Sequence, residues 1–167
     1  EPVNIHEPLE RVRSLIANQT KKRVKLIRDY DLSLPEVLAD RDQLIQVMLN
    51  ISVNAVQAMN ENKDFFVDTQ PELILRTRIQ RLVTINGVIH RSMVRVDIED
   101  NGPGVPEDIL ESVFYPLVTG RAEGTGLGLS IAQNIMHQHQ GMIECQSMQG
   151  KTTFSLYLPW EASHVAK

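Results

Sequence analysis

Three short stretches of this chain carry residue types suited to holding a charged, flat ligand. The first is Asp100-Asn101-Gly102-Pro103-Gly104. The run before it alternates, with Val94, Val96 and Ile98 on one side and Arg95, Asp97 and Glu99 on the other. That alternation predicts a strand with one covered face, and parity carries Asp100 to the covered side. A buried carboxylate costs several kcal/mol unless donors reach it. The glycines that follow clear the backbone of side chains. A carboxylate in need of a donor, beside bare backbone, suits a planar ligand with an exocyclic amine, and adenine fits. The competing reading is a strand-end aspartate that caps its own turn.

The second stretch is the pair Asn50 and Asn54, four residues apart in a predicted helix. Asparagine is a mediocre helix former. An amide oxygen is a hard, neutral ligand that suits Mg2+; two half-exposed polar residues on a helix flank would look the same. The third is Gly124-Thr125-Gly126-Leu127-Gly128-Leu129, which opens a helix. Free N–H groups and the helix dipole at such a start attract anions. Each backbone bond to a phosphate is charge-assisted and contributes ~1.5–3 kcal/mol. Arg121, in the loop just before, adds a cation, and the run from Val118 to Thr125 has the composition of a lid.

Two familiar phosphate motifs are excluded. The glycines are spaced GxGxG after a loop, whereas a dinucleotide fingerprint needs GxGxxG directly after a strand. Gly150-Lys151-Thr152 resembles the end of a P-loop, but Cys145 stands where that motif needs its first glycine, and a strand rather than a helix follows.

The elements that must position these stretches follow from periodicity. Val3 to Ile5 suggests a short strand, Glu7 to Gln19 a helix with Leu9, Val12, Leu15 and Ile16 on one face, and Val24 to Tyr30 a strand. Asp40 caps a helix that reaches about Asn60, with Leu44, Met48, Ile51, Ala55 and Met59 as its buried stripe. Glu61 to Glu72 reads as a surface loop. Leu73 to Ile85 and Val88 to Asp100 form a hairpin turned at Asn86-Gly87. Arg76, Arg78, Arg91 and Arg95 mark either a basic patch or a solvated strand face. Pro106 and Glu107 start a short helix to about Val113. The last helix presents Leu127, Ile131, Ile135 and Met136 to the core, and Gly141 serves as its C-terminal cap. Met142 to Ser147 and Thr152 to Leu158 close the fold as a hairpin. His137 and His139 read as favourable helix-end charges. His6, although followed by an acid, has Pro8 too close for a phosphoacceptor helix and reads as structural.

The 167 residues suffice for one domain with a core; 42% hydrophobic and 23% charged residues are ordinary for a soluble protein. A net charge of −4 argues against nucleic-acid binding, and the lone Cys145 excludes an internal disulfide and a cysteine zinc cluster. No apolar run reaches membrane-spanning length and no signal peptide opens the chain, so a cytoplasmic location is expected. A start without Met suggests a piece of a longer protein.

In their order, the stretches resemble the ATP-binding catalytic domain of bacterial sensor histidine kinases, in the superfamily that includes DNA gyrase, Hsp90 and MutL. Asn50 to Asn54 is similar to its N box, Asp100 to Gly104 to the G1 box, Phe114 to Leu117 to the F box and Gly124 to Leu129 to the G2 box. The hairpin before Asp100, together with Phe114 to Arg121, resembles the nitrogen-regulation (NtrB) type. The resemblance runs from about Val3 to Pro159. It implies an α+β two-layer sandwich, a mixed sheet with helices on one face, over residues 1–160, with 161–167 a frayed tail. It implies ATP and Mg2+ as ligands, with Asn54 on the metal and Asn50 supporting the phosphates. Asp100 would accept from the adenine amine, and Gly102 and Gly104 would floor the base pocket. Thr119, Gly120, Arg121, Thr125, Gly126, Leu127, Gly128 and Leu129 would hold the phosphates, and Thr152 would assist Asp100 through water. Lys151 departs from the second glycine usual there. Asn50, Asn54 and Arg121 form the implied catalytic set. Asn50 replaces the glutamate base of hydrolytic relatives, which favours phosphoryl transfer to a protein. The implied partners are a preceding dimerisation and phosphoacceptor domain, a response regulator of the NtrC type and a PII-type signalling protein, with the domain itself monomeric and the whole protein a homodimer. The alternatives are a docking module that no longer uses nucleotide and a serine-directed anti-sigma kinase.

Overall fold

The computed structural model describes residues 1–20, 23–106 and 125–160, with backbone alone at 125–128. The elements in order are β1 (Pro2–Val3), α1 (His6–Thr20), β2 (Lys25–Asp29), β3 (Val37–Leu38), α2 (Arg41–Glu61), a 3-10 turn (Lys63–Phe66), β4 (Glu72–Ile85), β5 (Val88–Asp100), α3 (Thr125–Gln138), β6 (Met142–Met148) and β7 (Lys151–Leu158). The expected helix from Glu107, the Phe114–Leu117 stretch and the tail lie outside the described residues.

Five strands form one sheet in the order β2-β4-β5-β7-β6, and β1 pairs with β3 apart from it. β2 runs parallel to β4 and the other neighbours are antiparallel, so the sheet is mixed. Alternation does the work predicted of it. Leu73, Leu75, Val96, Ile98, Phe154, Leu156 and Leu158 point inward and pack against Leu9, Val12 and Ile16 of α1, Leu44, Met48, Ile51 and Met59 of α2, and Ala132, Ile135 and Met136 of α3. This is the expected two-layer α+β sandwich. The hairpin turn falls at Asn86-Gly87, both with positive φ (50° and 78°), as a two-residue turn of this kind requires.

The outer sheet face is neither a basic patch nor simply solvated. Arg78 makes a two-oxygen contact to Asp29 at 2.9 Å, and Arg76 bridges Asp29 and Glu99 at 3.1 Å each. Arg95 lies 3.2 Å from Asp97. The two arginines hold the Asp29 carboxyl below the usual carboxylate range. Arg91 alone of the four arginines is exposed.

Two helical expectations are corrected. The core face of α3 is Leu129, Ala132, Ile135 and Met136, while Ile131 is 44% exposed; the true stripe is shifted because Ala132, a weak apolar signal, fills it. The α3 terminus closes with Gly141 N–H to the Met136 carbonyl (2.8 Å) and Gln140 N–H to the His137 carbonyl (3.0 Å), so Gln140, at φ 58°, takes the left-handed position expected of Gly141. Gly141 serves close packing instead: a Cβ there would stand 2.2 Å from the Tyr157 carbonyl oxygen.

His6 is structural, as expected. It is buried, with Nε2 2.8 Å from the Thr77 hydroxyl and Nδ1 3.2 Å from Asn4 Oδ1. Burial lowers its pKa, partly opposed by the charges of Asp31 and Glu10.

Candidate functional site

β5 ends at Asp100, which sits between Leu73 of β4 and Thr152 of β7. Three strands therefore fix one carboxylate on the covered face, where it is 8% exposed. Oδ1 accepts from the Gly102 N–H at 2.9 Å, so the turn-capping reading holds for one oxygen. No donor to the other oxygen is found among the described residues. Burial pushes the carboxyl up to about 6; the Gly102 bond opposes this and the Glu99 charge adds to it. The pair of observations, a buried acid and an oxygen left to a ligand, fits an amine donor.

The glycines after Asp100 are required by space. A Cβ at Gly102 would meet Asp100 Oδ1 at 2.9 Å and Met59 Cγ at 3.3 Å. Gly104 has φ 94°, and a Cβ there would lie 2.8 Å from the Met148 carbonyl oxygen. The turn is stitched to the β6–β7 hairpin: Gly150 N–H donates to the Gly102 carbonyl at 2.8 Å, and Val105 N–H donates to Ser147 Oγ at 2.8 Å. Asn101 holds the other side, accepting from Glu72 N–H and donating to the Gln70 carbonyl.

Thr152 is buried at 3% exposure, beside Asp100 in register, and its hydroxyl lies 2.7 Å from Ser147 Oγ. Ser147 was not singled out by the sequence. Counting across the tight Gln149-Gly150 turn, which pairs Met148 with Lys151, would have placed it opposite Thr152.

Asn50 and Asn54 are half-buried on α2 and make no side-chain hydrogen bond among the described residues. The helix they sit on is anchored at its start by Asp40, whose Oδ1 accepts from Gln43 N–H at 3.1 Å. A second anchor was not foreseen. Asp40 N–H donates to Nε2 of His139, at the end of α3, at 3.0 Å, and His139 Nδ1 lies 2.8 Å from the Ile135 carbonyl. A lone pair on Nε2 and a proton on Nδ1 satisfy both bonds, so this imidazole acts as a neutral bridge rather than the expected helix-end cation. His137 is exposed.

The bridge orders the two helices. Fourteen residues separate His139 from Thr125, and fourteen separate Asp40 from Asn54. At 1.5 Å per residue each distance is about 21 Å. α2 and α3 share one core, and equal lengths of helix lead from the bridge to Asn54 on α2 and to Thr125 on α3. Thr125, Gly126, Leu127, Gly128 and Leu129 form the first turns of α3, and the first four N–H groups of a helix have no partner within it. Thr119, Gly120 and Arg121 lie outside the described residues.

Among the described residues no group of three or more His, Cys, Asp or Glu could hold a metal ion. A divalent cation here would take amide oxygens from α2 and complete its shell with water and ligand phosphates, which is how Mg2+ is commonly held.

A mixed sheet under helices, with a buried acid and close-packed glycines at one strand end, has the form of a nucleotide-binding sandwich. Residues 39–162 match the family described as histidine kinase-, DNA gyrase B-, and HSP90-like ATPase, and the chain belongs to that family. It is similar to the sensory histidine kinase/phosphatase NtrB of Escherichia coli, 49% identical over 93% of this chain and 43% of the relative. The chain thus spans less than half the length of the curated relatives it matches. The fold is that of the catalytic domain of the histidine kinase ThkA, with a TM-score of 0.76 at 26% identity, covering 96% of this chain and 95% of that one. The same fold is seen in ThkA complexed with the response regulator protein TrrA, with a TM-score of 0.72 at 22% identity over 96% of this chain and 42% of that one.

Proposed function

We propose that residues 1–160 bind Mg-ATP and donate its γ-phosphate to a histidine on a dimerisation domain that precedes them in a longer nitrogen-regulation sensor kinase. The observation that carries this reading is Asp100, a buried carboxylate with one oxygen satisfied by Gly102 and the other left for a base amine. Membership of the ATPase family and the similarity to NtrB support it.

In this reading adenine lies over Gly102 and Gly104, with its amine on Asp100. Thr152, braced by Ser147, orders the water between base and carboxylate. The phosphates extend toward the start of α3, where the N–H groups of Thr125 to Leu129, with Thr119, Gly120 and Arg121, hold them. Asn54 gives an amide oxygen to Mg2+ and Asn50 steadies the phosphates. Bound there, Mg2+ neutralises phosphate charge. Asn50 cannot abstract a proton, so water is not activated and the γ-phosphate waits for a nitrogen nucleophile in line.

Of this chain's five histidines only His6 is followed by an acid, and its proline stands too close for a phosphoacceptor helix. His6 is buried against Thr77, His90 is buried in β5, and His139 bridges two helices. The partners are then the dimerisation domain, an NtrC-type response regulator that receives the phosphate, and a PII-type regulator, all in the cytoplasm; residues 161–167 are a tail, and this domain alone is monomeric. Incubation with γ-labelled ATP tests the reading. The chain alone should remain unlabelled, and a separately supplied histidine-bearing helical hairpin of an NtrB-type kinase should become labelled. Strong self-labelling, or transfer to serine, would overturn it.

A further inference from the structure

We propose that His139 is a positioning residue for phosphate binding: its neutral imidazole clamps the end of α3 to the start of α2 and so sets the phosphate-binding helix start against Asn54. The inference rests on the nucleotide reading above and adds a residue to it from outside the ligand pocket.

The clamp joins two atoms that cannot exchange roles. Asp40 offers a backbone N–H, which only donates, and Ile135 a carbonyl, which only accepts; the imidazole meets both at 3.0 and 2.8 Å. Both ends of the bridge are themselves fixed. Asp40 caps α2 through Gln43 and its carbonyl accepts from Leu44 N–H at 3.0 Å. Its neighbour Ala39 is tied to the first residue, donating to the Glu1 carbonyl at 2.9 Å, and β1 pairs with β3 just before it. His139 is locked at the α3 terminus, where its own N–H reaches the Ile135 and Met136 carbonyls at 3.1 Å each.

The position along the helices gives the clamp its consequence. It lies at the ends of α2 and α3 farthest from the phosphates, about 21 Å away. α3 is otherwise held by the apolar stripe Leu129, Ala132, Ile135 and Met136. Apolar contacts resist separation but define axial register poorly, whereas one directional hydrogen bond at a helix end defines it well. Losing the bridge leaves α3 packed and lets its glycine-rich start shift relative to Asn54. The base pocket, built on β5, β7 and Met59, has no part in the bridge.

Titration with ATP and with adenosine separates these effects. His139→Asn keeps a polar residue suited to a helix terminus but is too short to reach Asp40. His139→Gln restores an oxygen acceptor and an N–H donor at nearly the original reach. The expected result is ATP affinity weakened about tenfold in His139→Asn, adenosine affinity unchanged, and ATP affinity recovered in His139→Gln. Retained adenosine binding also shows that the variant is folded. Equal weakening of both ligands, or of neither, overturns the proposal, as does a Gln variant no better than Asn. If the unsubstituted chain binds adenosine but not ATP, or neither, the nucleotide reading itself fails and the clamp with it.

Discussion

Replacing Asp100 by Asn should stabilise the ligand-free domain while spoiling its pocket. The native carboxyl holds its proton up to about pH 6, against 3.8 for an exposed aspartate. Between those values the folded state binds more protons than the unfolded state, so the group's contribution to stability is fullest below 3.8. It is lost as pH rises toward 6 and is constant above. The difference corresponds to about 3 kcal/mol of destabilisation at pH 7.5 and roughly half of that at pH 5. Asparagine keeps the acceptor for Gly102 N–H and removes the charge. Its amide NH2 stands where the second carboxylate oxygen was and offsets part of the gain. A net gain of about 1–3 kcal/mol at pH 7.5 is expected, which raises the thermal midpoint by several degrees. The gain should be smaller at pH 5, by on the order of 1 kcal/mol. Chemical denaturation of both proteins at the two pH values, without nucleotide, measures this. A variant less stable than the parent at pH 7.5, or a difference that does not change with pH, would refute the burial argument for Asp100.

Other substitutions probe the rest of the site. Asp100→Asn should weaken ATP and narrow a preference over GTP that a buried polar mismatch sets at up to ~10^4-fold; competition binding checks both. Gly104→Ala combines a φ of 94° with a Cβ 2.8 Å from the Met148 carbonyl, so a loss of about 1–3 kcal/mol in unfolding free energy is expected. Gly141→Ala drives a Cβ to 2.2 Å from the Tyr157 carbonyl; it should cost about 3 kcal/mol in the same measurement, although Gly141 is remote from the pocket. Asn54→Ala should remove the Mg2+-dependent part of ATP affinity and leave affinity in EDTA unchanged, as read by calorimetry.

How far the sequence led depends on the distance over which each feature is set. Asp100 was legible because parity along one strand determines its face, and the alternation from Val94 held in the fold. The glycines were legible as a pair, but their reasons lie in partners the sequence does not align: Met59 for Gly102, Met148 for Gly104, Tyr157 for Gly141. The arginines of β4 and β5 were ambiguous because the acids of Arg76 come from the strands on either side, β2 and β5, while Arg95 meets Asp97 two residues along its own strand. The phase of α3 was misread because its first turn is rich in glycine and its true stripe includes Ala132. His139 was misread for the deepest reason: it meets Asp40, 99 residues earlier, and no local period reports such a contact.

The central claim is a metal-assisted ATP site between α2, the Asp100 turn and the start of α3. The most direct test is an ATP titration of this chain by calorimetry, first with Mg2+ and then with EDTA. Saturable binding that weakens when the metal is removed is the predicted result. No binding at millimolar ATP, with the domain folded, would contradict the claim and leave the boxes as a scaffold for docking.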